Sequence, residues 1–240
     1  LVLVFTPTLL NALIWSRAAR FSAKAREHQN GQPPLLHADD LGLAEGVDAA
    51  ILDLAQSGRL QGASLLVNGP SATAAVEAWR DLADPPPLSL HVCLTEGHGL
   101  PNSPDLPTGF GRLLLASLLP WQRQRIAPQL RAVLLQQISR YRQLTGLQHI
   151  RLDGHQHIHL VPLVLDAVLD LASSESITWV RTTRESLPEG LSLRLWWRSL
   201  QTGGLIKWMV LQLLSGLAIP RLRQAGLATN RRFAGVLFSG

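Results

Sequence analysis

Two adjacent carboxylates, Asp39 and Asp40, close the apolar run LLHADDLG. His91 follows further along, and His155, His157 and His159 alternate just after Asp153. Carboxylates beside imidazoles can hold a divalent ion or move a proton. The intervals between Asp40, His91 and His155 are too long for a local metal finger and suit ligands arriving from separate strands. Each residue also has an ordinary reading. An isolated Asp after a strand caps the next helix about as often as not, a lone His91 fits a core histidine, and Asn68 fits a turn. Cys93 lies among apolar neighbours without a nucleophile's surroundings. Two acids side by side, and three alternating histidines beside Asp153, are harder to explain so. No G-x-S-x-G elbow or Walker phosphate loop is present. The residues alone therefore lead to a metal-dependent α/β enzyme and no further.

The elements that must position these residues follow from the pattern. LLHADDLG reads as a strand and GVDAAILDLAQSG as a helix closed by Gly58. LQGASLLVNGP and SATAAVEAWRDLA repeat that order, and PLSLHVCLTEG is a third strand. Pro and Gly crowd residues 97–111, which predicts a long loop. Trp121 to Thr145 is helical in composition, HIRLDGHQHIHL reads as a strand, VPLVLDAVLDLA as a helix and TWVRTTRE as a strand. Strands alternating with helices imply a parallel α/β architecture, a barrel or a distorted one. Ligands gather at strand carboxyl ends in such folds, which is where Asp39, Asp40, Asn68, His91, Asp153 and His155 fall. Alternation along IRLDGHQ puts Asp153 and His155 on one face.

The chain has 240 residues, 46% hydrophobic and 16% charged, enough for one substantial core. One cysteine excludes an internal disulfide framework and a four-cysteine zinc site. The formal charge of +5 is unevenly spread. Residues 1–38 carry four bases against Glu27, residues 39–189 carry 11 bases and 16 acids, and residues 190–240 carry seven bases and no acid. Basicity confined to the ends argues against a nucleic-acid-binding surface, and none is expected as a partner. The opening LVLVFTPTLLNALIW is uncharged, interrupted by Pro7 and Asn11, and followed by basic residues, the reverse of a signal peptide. It admits three readings: an anchor with its basic side in the cytoplasm, a buried helix, or sequence outside the functional fold.

HADDLG, LHVCLTEG, RLDGHQHIHLVP and VRTTRE, in this order, resemble the YdjC-like (ChbG/HpnK) carbohydrate deacetylase family from about Leu35 to Gly240. The resemblance implies a distorted (β/α) barrel that removes acetyl groups from N-acetylated sugars, on an oligosaccharide or glycolipid, with one divalent ion, Mg2+ or Zn2+. It implies Asp40, His91 and His155 as metal ligands and Asp39 as general base. Asp153 would orient His155 or meet the substrate, and Asn68, Arg184 and Glu185 would line the sugar. Family members usually continue past RFAGVLFSG to a histidine-proline motif that could supply the acid for the leaving amine. This chain stops at Gly240, so that role would fall to His157 or His159 or be absent, and the expectation is an incomplete barrel with reduced activity.

The domain reading is an N-terminal extension over 1–34 and a deacetylase-like barrel over 35–240. A helical insertion near 191–223 carries Trp196, Trp197 and Trp208 among leucines and arginines. That segment packs on the barrel or lays its aromatics into an anionic membrane. The expected location is the cytoplasm, or the inner face of the membrane, with a homodimer as a further expectation. The contrasting reading is an inert, membrane-associated, sugar-binding remnant of such an enzyme.

Overall fold

The computed structural model describes residues 2–5, 35–95, 100–104, 106–107, 109–187, 192–201 and 203–236. Seven strands are described: β1 (Val2–Phe5), β2 (Leu35–Leu41), β3 (Gly62–Leu65), β4 (Leu88–Val92), β5 (Ile150–Gly154), β6 (Ile177–Val180) and β7 (Phe233–Ala234). Between them run α1 (Glu45–Gln56), α2 (Ala72–Arg80), α3 (Phe110–Leu118), α4 (Pro120–Thr145), α5 (Pro162–Leu171), α6 (Leu193–Gln201) and α7 (Gly204–Gln224). The sheet order is β6-β5-β4-β3-β2-β1-β7 and every neighbouring pair is parallel.

This is the expected parallel α/β architecture. β3 and β4 are buried at every position, the signature of strands covered on both faces. The sheet does not close through a continuous ladder, yet one segment touches both edges. Ala228 bridges Trp179 of β6, Phe233 N–H donates to Arg184 O at 2.9 Å, and Phe233 then pairs with Val2 of β1. A distorted, incompletely closed barrel describes this arrangement.

Local chemistry explains most boundaries. α4 begins with Pro120 in its first turn and ends at Gly146, whose φ of 76° suits a left-handed cap. It buries Ile126, Leu130, Val133, Leu134, Ile138, Tyr141 and Leu144 at helical spacing. Two expectations are corrected. The loop expected over 97–111 gives way to α3 at Phe110, and the strand expected over 149–160 stops at Gly154. His155–Leu160 is instead a tight turn, because Gln156 and His157 adopt φ of 52° and 59° and break the extended run. Within the segment expected as a helical insertion, the described residues include α6 and α7. β1 comes from the apolar opening, so the sheet crosses the boundary drawn at residue 34.

Candidate active site

The site grows from an irregularity in β2. Ala38 pairs with Ala63 and Leu41 with Leu65, so three steps on β2 match two on β3. This bulge adds one residue, and Asp40 takes it up with φ of 68°. Successive strand residues point to opposite faces, but here Asp39 and Asp40 both reach the same polar cluster. Asp is among the few side chains that tolerate the left-handed region. The following loop is pinned: Gly42 N–H donates to the buried Asp48 carboxylate at 2.6 Å. A Cβ on Gly69 would sit 2.0 Å from Gly42 O, so the loops after β2 and β3 can pack this closely only with glycine there. Neither Asp39 nor Asp40 caps α1, whose N-cap is Ala44.

Five strands contribute to the cluster. Asp40 Oδ1 lies 2.8 Å from His155 Nδ1 and 3.2 Å from His91 Nε2. On its far side His91 Nδ1 donates to Asp153 Oδ1 at 2.6 Å. Arg181, just past β6 and 0% exposed, donates through NH1 to both Asp39 oxygens at 2.8 Å, and its NH2 lies 2.5 Å from Asp153 Oδ2. Ser64 Oγ donates to Asp153 Oδ2 at 2.6 Å and meets His37 Nε2 at 2.7 Å. Two of the three buried carboxylates, Asp39 and Asp153, thus share one guanidinium, and Asp40 is paired with imidazoles.

Burial and pairing push these groups apart. Burial raises Asp39 to about 6, against the pull of Arg181. Burial acts the same way on Asp40, but the bonds from His155 and His91 hold it well below the usual carboxylate range. Asp153 is likewise held low, by Arg181 and His91 against its burial. His91 is raised well above an ordinary histidine by the carboxylates around it, although burial opposes this. His37 is lowered by burial and by Arg181. One carboxylate that can take a proton near neutrality thus sits beside two that stay ionised.

The structure brings together Asp39, Asp40, His91, Asp153 and His155. It differs from expectation over Asp153, which orients His91 rather than His155, because β5 ends before His155 and the turn carries that ring toward Asp40. His157 is buried, with its ring edge-on to Phe233 at 5.4 Å, and burial holds it well below an ordinary histidine. His159 donates from Nε2 to Arg181 O at 2.9 Å and so braces the arginine's backbone. Cys93 is buried core, its N–H and C=O clasped by Gln137. Asn68 lies in the turn after β3. Arg184 is exposed, whereas the Glu185 carboxylate accepts the N–H groups of Gly235 and Val236 and fixes the segment after β7.

Sequence reasoning passed over Arg181, His37 and Ser64. His37 was signalled by its i, i+2 relation to Asp39, and Arg181 by its place directly after the apolar run of β6. Ser64 carried no signal.

Asp40, His91 and His155 each offer one donor atom, all within 4.8 Å of one another, and these fit a metal ion. The donor set is two imidazole nitrogens and a carboxylate oxygen. The Asp153 bond also leaves His91 with its proton on Nδ1 and Nε2 toward Asp40, the orientation that metal-binding histidines commonly show.

Known proteins resemble this chain over much of its length. A mouse (Mus musculus) protein named carbohydrate deacetylase is 31% identical over 163 residues, covering 62% of this chain and 49% of the mouse protein. Its human (Homo sapiens) namesake is 31% identical over 174 residues, covering 66% of this chain and 50% of the human protein. The chain thus spans about half the length of these curated relatives. A crystal structure of an Enterococcus faecalis protein described as acting in cellobiose-phosphate cleavage superposes with a TM-score of 0.47 at 17% identity, covering 82% of this chain and 95% of that one. The family model of YdjC-like protein matches residues 35–240, the stretch that holds every side chain of the polar cluster, and the chain belongs to that family.

Proposed function

We propose that this chain carries the active centre of a carbohydrate N-deacetylase, which hydrolyses the acetamide of an N-acetylated sugar to acetate and a free amine. The observation that carries the reading is the convergence of Asp40, His91 and His155 with the Asp39 carboxylate beside them. A divalent ion held by the three ligands would supply Lewis acidity toward the acetyl oxygen and acidify a water. Two imidazoles among three ligands favour Zn2+ over Mg2+.

The protein's own groups do the rest. Asp39, at about 6, is ionised at neutral pH and accepts the proton of the attacking water at a carboxylate oxygen. Arg181 grips Asp39 through NH1 and keeps the carboxylate from rotating away. Asp153 fixes the tautomer and plane of His91. Arg184 is the exposed member of the three sugar-lining candidates and offers its guanidinium to a sugar hydroxyl. Asn68 stands at the β3 end of the same rim, and Glu185 acts through the segment it holds. His157, buried and held neutral, is a poor acid, so the proton that Asp39 takes from the water is the one returned to the leaving nitrogen as its bond to the acetyl carbon breaks. The proposed catalytic side chains all fall within residues 35–240, with 191–223 as an appended helical element and the cytoplasm as the place of work.

Acetate release from N-acetylhexosamine oligosaccharides is the test. Release that disappears with chelator and with Asp39→Asn supports the reading. A purified protein that binds the ion and releases acetate from no such substrate returns the contrasting one, an inert sugar-binding remnant at a membrane surface. The observation favouring that second reading is on α7, where Ile206, Met209, Leu213 and Leu217 face solvent.

A further inference from the structure

The cluster contains two sets of groups that could each hold a cation. Among the described residues these are Asp40, His91 and His155, and beside them His37, Asp39 and Asp153, with donor atoms in each set within 4.8 Å of one another. The sets are joined: Asp39 and Asp40 are chain neighbours, and Asp153 faces His91 with Oδ1 and the second set with Oδ2. Such an arrangement, with a carboxylate between two ligand sets, is how hydrolases hold paired ions about 3.5–4 Å apart.

Here the second set is already filled. Arg181 NH1 sits 2.8 Å from both oxygens of Asp39, and NH2 lies 2.5 Å from Asp153 Oδ2 and 3.3 Å from Ser64 Oγ. We propose that Arg181 is the resident cation of the His37, Asp39 and Asp153 position and limits this centre to a single divalent ion at Asp40, His91 and His155. The inference rests on the metal centre proposed above and concerns its stoichiometry.

Arg suits this role because its guanidinium never loses its charge and its fork matches carboxylates. It is also held in place: its N–H donates to Leu152 O at 3.0 Å and its C=O accepts from His159. Charge points the same way. The three carboxylates are balanced by the guanidinium and one divalent ion, whereas a second ion would leave two uncompensated positive charges where Asp39, Asp153 and Arg181 are all buried. A simple structural ion pair would share these distances, but it predicts no change in metal count when the arginine goes.

Equilibrium dialysis of the full chain against Zn2+, followed by metal quantitation, tests this. Wild type should hold one ion per chain, and His155→Ala should hold none, since Arg181 still blocks the other set. Arg181→Met should hold two, with the second lost again in R181M/H37A, and Arg181→Lys should stay at one because an ammonium replaces a guanidinium. Two ions in wild type, no ion in wild type, a retained stoichiometric ion in H155A, or a single ion in an R181M protein that circular dichroism shows to be folded would each overturn the proposal. Two ions in wild type, or a stoichiometric ion retained in H155A, overturns it even if R181M does not fold, and two ions in folded R181M separates it from a simple ion pair. Acetate release by wild type, measured in parallel, separates the outcomes: two ions with release overturns only the stoichiometry, and one ion without release overturns only the deacetylase reading.

Discussion

The strand-end cluster and the α7 helix reverse each other's surfaces. Around Asp39, Asp40, Asp153 and Arg181, charge is buried, while on α7 the side chains of Ile206, Met209, Leu213 and Leu217 are exposed. α7 is anchored by its other side, where Leu211, Leu214, Ala218 and Leu222 are buried and Ser215 and Gln212 bond the backbone of Thr183. Burying charge is costly unless every charge finds a partner, so the cluster tolerates few changes. Exposing apolar side chains costs the fold almost nothing, so the outer face of α7 is free to vary. The contrast teaches where stability and function are coupled in this molecule and where they are separate.

The largest expected effect tests the coupled side. Asp39→Asn, or removal of the ion by chelator, should lower acetate release by roughly 10³-fold, read as initial rates. An unchanged rate in D39N would detach the buried carboxylate from the chemistry. Next, Arg181→Met should lower the metal-free unfolding free energy by about 3–5 kcal/mol in urea titrations, because it strands Asp39 and Asp153 without their shared cation. Excess Zn2+ should recover much of that loss.

A comparable loss from α7 requires its inner face. Leu214→Ala should cost about 2–5 kcal/mol by the same titration.

Acid should act on the cluster's supports. His159 is lowered to about 4 by burial, against an ordinary 6.5, so the unfolded chain binds more protons between these values. Its stabilising contribution is therefore complete above about pH 6.5 and declines as pH falls toward 4, by roughly 3 kcal/mol in total. His157, also lowered by burial, adds to the same trend. Asp39, raised to about 6, pulls the opposite way in this window, so the check is the stability difference between wild type and H159Q in urea titrations, which should grow as pH rises from about 4 to 6.5.

The smallest effect belongs to the outer face, where Leu213→Ser should change stability by less than about 0.5 kcal/mol. The same variant should reduce sedimentation with anionic vesicles if that face meets a membrane. Unchanged sedimentation would remove the membrane reading.

Much of this was legible in the residues themselves. Alternating apolar segments and turn residues determined a parallel α/β fold, since burying both faces of each strand leaves few other arrangements. The same order placed Asp39, Asp40, His91, Asp153 and His155 at strand ends that face one rim. Tertiary structure decided what they do there. A bulge sends both adjacent acids to one side, a change of register that composition does not encode. Two non-glycine residues in the left-handed region, Gln156 and His157, end the extended run directly after His155, although HIRLDGHQHIHL alternates like a strand. Arg181 belonged by sequence to a polar strand end no different from Arg184, four residues past the start of β6 against seven. Only the fold showed that one grips two carboxylates and the other faces water, because the partners that make a buried arginine affordable lie on strands up to 142 residues away.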